Sequence, residues 1–207
     1  MNQRRNPRFI RPSRRLALKK LVLVATEGAI TERQYIDIVR SLFLSERRQK
    51  TTENLNISVA IVKHRDQSSP RSLLQRLRRE IEDNKLDENY SAWLICDRDQ
   101  WTREQFQEIQ KWVDKDPDRN HWILSAPNFE YWLSLHFDNK DDCRTFFERY
   151  DKKLQTSDFS YGQIVSANKK ARQKFQNSGN LLEHDGSQMF QFVEFLAKEY
   201  GLERDFN

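Results

Sequence analysis

The apolar positions of the chain recur with two periods. Leu21–Ala25 is a continuous apolar run, the mark of a strand buried on both faces. From Ile30 the spacing changes: Tyr35, Val39, Leu42 and Phe43 recur at helical intervals, predicting a helix that frays over Glu46–Lys50. Leu55, Ile57, Val59 and Ile61 alternate with smaller or polar residues and predict a second strand. Ser68-Ser69-Pro70 opens another helix, with proline suited to a first turn and Leu74, Leu77 and Ile81 on one face. Tyr90–Cys96 predicts a third strand ending at Asp97. Thr102-x-x-Gln105 has the form of a capping box, for a helix that turns Phe106, Ile109 and Val113 inward. A short fourth strand follows at Trp122–Leu124, and Pro127 starts the next helix. After Asp138 the pattern is wholly helical, over 140–152, 166–177 and 187–200, with a polar loop around Gln155–Gln163.

Strand followed by helix, four times over, predicts an α/β fold: a parallel four-stranded sheet with helices on both faces, plus a C-terminal helical segment. The expected division is a basic arm over 1–18, an α/β domain over 19–138 and a helical extension over 139–207 packed on the same core. A chain of 207 residues is long enough for one sizeable core. No apolar run reaches the ~20 residues of a membrane span. The basic N-terminus lacks the apolar region of a secretory signal. Cys96 and Cys143 lie far apart, without zinc-ligand spacing, and read as reduced thiols of a cytoplasmic protein.

Charge changes the picture because it is unevenly placed. Arg4, Arg5, Arg8, Arg11, Arg14, Arg15, Lys19 and Lys20 stand in a stretch with no acid. The whole chain is +5, so the residues after these eight charges carry −3. Such an arm, Arg14 and Arg15 included, suits a phosphate backbone, since each neutralised phosphate releases counterions. Equally, it reads as a solvated, disordered leader.

Three acids fall at strand ends. Glu27 lies just past the first strand, in "VATEGAITE", and Asp97 and Asp99 follow the third, in "ICDRDQW". In an open parallel sheet every carboxyl end points to one edge, where ligands bind between connections that leave in opposite directions. If strands one and three are neighbours, the three carboxylates converge, and in extended backbone Asp97 and Asp99 share a face while Arg98 turns away. Like charges at ~4 Å repel by about 4 kcal/mol at an effective dielectric near 20. Either one acid stays protonated or a cation sits among them. Magnesium, held by one or two carboxylates with waters and substrate phosphates, fits that description. The plainer reading makes Asp97 a turn residue and Asp99 a helix cap.

The segments "VATEGAITERQYI", "ICDRDQW" and "SAPNFEYWLSLHF" together resemble the RloB family of bacterial phage-defence and abortive-infection loci, over about Lys20 to Tyr200. That resemblance implies a Toprim-like fold, as in topoisomerases, primases and related nucleases. It implies that Glu27 serves as general acid or base or as a metal ligand, and that Asp97 and Asp99 hold Mg2+ (or Mn2+). It also implies a nuclease acting beside an AAA/ABC-type ATPase. Glu32 is then a supporting acid, or an acid that merely suits the helix dipole. The chain departs from the family in one motif, generally Asn-Pro-Cys-Phe-Glu: Ala126 stands before Pro127, and Asn128 replaces the cysteine.

Glu130, one turn into the helix after strand four, either faces the same edge or pairs with an arginine. His136 lies on the apolar face of Phe129, Leu133 and Phe137, where a packed core histidine is expected. Lys63, His64 and Arg65 follow strand two and either grip phosphate at the sheet edge or form an ordinary charged loop. Of the five tryptophans, Trp101 is the one expected to border the site. Arg71, Arg76, Arg78 and Arg79 make a helix face that is either solvated or part of a nucleic-acid groove. The reading that follows is a magnesium-dependent nuclease cutting DNA or RNA in antiphage defence. The alternatives are a non-catalytic module that binds nucleic acid or the ATPase, and nucleotidyl transfer on the same metal site.

Overall fold

The computed structural model describes residues 19–63, 69–86, 89–98, 101–151, 153–178 and 180–207. The basic arm, with Arg14 and Arg15, lies outside the described residues, as do His64, Arg65 and Asp99. Among the described residues the elements run β1 (Lys20–Thr26), α1 (Thr31–Lys50), β2 (Ile57–Ile61), α2 (Pro70–Asp83), β3 (Tyr90–Asp97), α3 (Arg103–Lys115) and β4 (Asn120–Ala126). They continue with α4 (Phe129–Ser134), α5 (Lys140–Arg149), α6 (Tyr161–Ser178), β5 (Gly186–Ser187) and α7 (Met189–Glu199). No described helix is long and apolar enough to cross a membrane.

The sheet order is β2-β1-β3-β4-β5, with β1 to β4 parallel and β5 antiparallel. Alternation along β1 explains its unbroken apolarity. Val22 and Val24 join Val39 and Phe43 of α1 on one face, while Leu23 and Ala25 join Leu73, Leu74 and Leu77 of α2 on the other. Phe106 and Ile109 of α3 cover the second face; Ile164 of α6 and Val193 and Leu196 of α7 cover the first. Helices therefore lie on both faces, as the sequence pattern predicts. The connection leaving β1 runs over one face toward β2, and the one leaving β3 runs over the other toward β4. The carboxyl ends of β1 and β3 thus flank the crevice where an open sheet binds ligands.

Local signals set most boundaries. Ser69 Oγ accepts from Ser72 N–H at 3.3 Å ahead of Pro70, and Thr102 N–H donates to Gln105 Oε1 at 2.7 Å. Trp112, not Val113, supplies the fully inward position of α3, and Val113 packs at the margin.

Several expectations need correction. The sheet has five strands, not four: β5 is too short to show a period and exists because Ser125 and Ala126 pair with it. α1 does not fray at Glu46; Lys50 pairs with Asp205 at 2.6 Å and Arg47 Nη1 donates to Tyr200 O at 2.8 Å. Pro127 does not start α4. Asn128 is its N-cap, its Oδ1 accepting from Tyr131 N–H at 3.3 Å. The polar loop around Gln155–Gln163 contains a 3-10 turn, Thr156–Asp158, and the beginning of α6, which Ser160 and Gln163 cap through Ser160 N–H to Gln163 Oε1 at 2.8 Å.

His136 is a core histidine. It is buried, and its Nδ1 lies 3.2 Å from the carbonyls of both Trp132 and Leu133, so Nδ1 carries the proton. Nε2 then accepts from Tyr35 O–H at 2.9 Å. Phe159 closes the cluster edge-on to both rings. Burial holds the imidazole down to a pKa of about 4, below its ordinary 6.5. The unfolded chain therefore binds one more proton between pH 6.5 and 4, so this contribution is intact above that window and lost as pH falls through it. Unfolding titrations should show the pH slope of His136→Gln smaller than that of the parent by up to about 1.4 kcal/mol per pH unit in the window. Equal slopes contradict the neutral buried imidazole.

Candidate functional site

Parallel pairing of β1 with β3 sets Thr26 opposite Ile95, and Glu27 N–H prolongs the ladder to Ile95 O at 3.0 Å. There β1 stops. The Glu27 side chain continues in its place: Oε2 accepts from Asp97 N–H at 3.0 Å, and Oε1 accepts from the Trp101 indole N–H at 2.7 Å. Two donors, one from β3 and one from the connection to α3, fix the plane of this carboxylate.

Glu32 answers why Gly28 follows. It is 4% exposed, and its Oε1 accepts from Gly28 N–H at 2.8 Å. A Cβ on Gly28 would lie 1.9 Å from Glu32 Oε2, so the position needs glycine for the close approach of a carboxylate. Thr26 Oγ1 donates to Gly28 O at 2.8 Å and tightens the same turn.

Glu27, Gly28 and Glu32 line a cleft of about 330 Å³ together with Ala29, Ile30, Thr31, Asp97, Phe129 and Glu130. Glu27, Glu32, Asp97 and Glu130 put four carboxyl groups on its wall, and among the described residues no lysine or arginine lines it. Ile30 stands at the rim, 54% exposed. The potential is felt nearby. The Cys96 thiol is pushed well up, first by burial and then by the charges of Glu27, Asp97 and Glu32. Burial also raises the Tyr150 phenol, with Glu130 and Glu32 adding to it, while a hydrogen bond with Thr31 opposes the rise. Tyr150 OH lies 2.9 Å from Thr31 Oγ1 and so borders the cleft from the end of α5.

The structure thus brings together Glu27, Asp97, Glu32 and Glu130, and Trp101 borders them as expected. Asp99, His64, Arg65, Arg14 and Arg15 lie outside the described residues. Lys63 follows β2 at the same edge without lining the cleft; its carbonyl accepts from Arg76 Nη1 at 3.5 Å. Arg71 and Arg78 of the arginine-rich helix both reach Glu108, at 3.4 and 3.5 Å. Among the described residues no three His, Cys, Asp or Glu side chains stand where they could hold one ion together. Sequence reasoning missed Thr31 and Tyr150. No local pattern marks them, because Tyr150 reaches the site only through the packing of the C-terminal helices.

An α/β protein with an acid-lined crevice at the switch point of its sheet is the class these features define. The family model described as RloB-like protein matches residues 22–196, from β1 into α7, and the chain belongs to that family. No curated protein and no solved structure matches it significantly.

The turn makes a coupled prediction. Gly28→Ala should cost about 1–3 kcal/mol by forcing the Glu32 carboxylate out of its place. In Gly28→Ala/Glu32→Ala the clash is gone, and the loss measured by denaturant unfolding should fall short of the sum of the single losses by about 1 kcal/mol or more. Simple additivity contradicts the close approach.

Proposed function

We propose that this RloB-like protein is a magnesium-dependent, Toprim-type nuclease that hydrolyses phosphodiester bonds of DNA or RNA in bacterial antiphage defence, beside an AAA/ABC-type ATPase partner. The observation that carries the proposal is the cleft at the switch point, on whose wall the described residues place four carboxyl groups and no basic side chain. Carboxylates that share one cleft raise one another's energy unless a cation or protons offset them.

The donor set fits a hard divalent cation. It is made of carboxylate oxygens, and magnesium commonly takes one or two of these and completes its shell with waters and phosphate oxygens. Asp97 and Asp99 would hold the ion with Glu27 beside them, and Glu32 and Glu130 are supporting acids. Such an ion supplies positive charge that polarises a phosphodiester and activates water. Glu27 is already oriented for a proton-handling or ligand role: its two oxygens receive the Trp101 indole N–H and the Asp97 N–H, so binding requires little reordering. Lys63, with His64 and Arg65 next in sequence and Arg14 and Arg15 on the arm, supplies cations for a phosphate backbone.

A second reading has its own support. The same two hydrogen bonds also suit Glu27 as a structural bridge between β1 and β3, within a non-catalytic module that binds nucleic acid or the ATPase. Magnesium separates the two readings. In a thermal-denaturation titration the nuclease reading expects Mg2+ to raise the midpoint of the parent protein and not of Asp99→Asn. The bridging module expects no shift.

Catalysis gives the second test. Asp97→Ala should lower Mg2+-dependent cleavage of DNA or RNA by about 100-fold or more while the circular dichroism spectrum stays unchanged. Full activity of that variant, or of the parent in excess chelator, overturns the proposal.

A further inference from the structure

Arg98 stands between Asp97 and Asp99 in the chain, yet its side chain is engaged elsewhere. Its Nη1 donates to the carbonyls of Leu181 and His184, at 3.3 and 3.2 Å, and its Nη2 pairs with Asp185 Oδ1 at 2.9 Å. Arg103, at the start of α3, adds a second tie, 3.0 Å from Glu183 Oε1.

The segment these arginines grip is itself fixed to β4. Ser125 Oγ and Ser187 Oγ lie 2.8 Å apart, both fully buried. Gln188 N–H donates to Leu124 O at 2.9 Å, and Gln188 Oε1 accepts from Leu124 N–H at 3.0 Å. Leu181 is buried beneath, and a Cβ on Gly186 would come within 2.6 Å of its Cδ2, so the segment is packed closely on itself.

From Arg98 the connection runs straight to the acids. Arg98 N–H donates to Ser125 O at 2.7 Å, and Arg98 O accepts from Trp101 N–H at 3.1 Å. The Trp101 indole then donates to Glu27 Oε1 at 2.7 Å, while Asp97 N–H holds Oε2 at 3.0 Å.

We infer that Arg98 is a positioning residue of the acidic cleft: anchored on the segment 181–185, it fixes the Trp101 indole that orients Glu27. A guanidinium suits this task because its rigid fork serves a carboxylate and backbone carbonyls at once. The arrangement also directs the one positive charge between the two acids of the motif away from the cleft wall. Residues 83 to 87 positions downstream of Arg98 thereby set the plane of the Glu27 carboxylate. The inference deepens the cation-site reading and rests on it for its consequence, a Glu27 poised beside the ion. Its test needs no ion, so the two fail separately.

The test is hydrogen exchange of the tryptophan indole N–H groups, followed by NMR in the full chain. Asp185 is 59% exposed, so its removal does little to global stability and isolates local positioning. Asp185→Ala should accelerate exchange at Trp101 by roughly tenfold. It should leave unchanged the Trp93 indole, which bonds Ser91 Oγ at 2.8 Å within β3. Asp185→Glu should restore the parent rate, and Arg98→Ala should exceed Asp185→Ala. An unchanged Trp101 rate in Asp185→Ala, or an acceleration shared equally by Trp93, overturns the inference. Should Arg98→Ala fail to fold, the Asp185 pair of variants still decides it. The parent protein's response to Mg2+ bears on the cation reading alone.

Discussion

The parallel pairing of β1 with β3 is the constraint on which the acidic edge depends. It brings together two strand ends separated by some seventy residues, with Asp97 N–H left beyond the last backbone partner that β1 offers. A half-buried N–H in that position needs an acceptor. Glu27 supplies one from its side chain, so the ladder ends in a carboxylate rather than a carbonyl. A charge is thereby built into the sheet at the place where connections over opposite faces open a crevice. Everything around it answers to that charge: the Trp101 indole, the glycine that admits Glu32, and the arginine drawn off toward the C-terminal segment.

The balance of charge explains the surroundings further. Glu32 sits at the first turn of α1, where the helix end favours an anion, and its bond to Gly28 N–H offsets part of the cost of burying it. Asp97 follows Ile95 in the alternation of β3, toward the face that α1 covers, whereas Trp101 packs with the cluster on the opposite face. The Glu27 carboxylate, bonded to the Asp97 N–H and to the Trp101 indole, thus bridges β3 and the cluster on the opposite face. Arg98, which could neutralise them, is held by Asp185 and two carbonyls. The cation next to Asp97 in sequence is thus tied down away from the cleft wall.

Much of this was legible in the chain. The apolar run Leu21–Ala25, the alternation in β2 and the capping signals at Ser69 and Thr102 marked the strand–helix repeat, because each is a local consequence of burial or of an unsatisfied helix end. The placing of Glu27 and Asp97 at one edge followed from that repeat once β1 and β3 were neighbours. What escaped was tertiary. β5 has two residues and no period; it forms because Ser125 and Ser187 share a buried hydrogen bond. The last turns of α1 look frayed in sequence and are held by Asp205 and the Tyr200 carbonyl. Tyr150 carries no mark of its place beside Thr31, and the grip of Arg98 on 181–185 joins segments that no local rule connects.

In the proposed function the carboxylates at the ends of β1 and β3 share a divalent cation. Anomalous scattering from crystals grown with Mn2+ tests it most directly. A single strong peak is expected in the cleft, within about 2.0–2.4 Å of an oxygen of Asp97 and adjoining Glu27. A cleft without anomalous density at saturating Mn2+, with the Glu27 carboxylate still bonded to the Trp101 indole and the Asp97 amide, contradicts it.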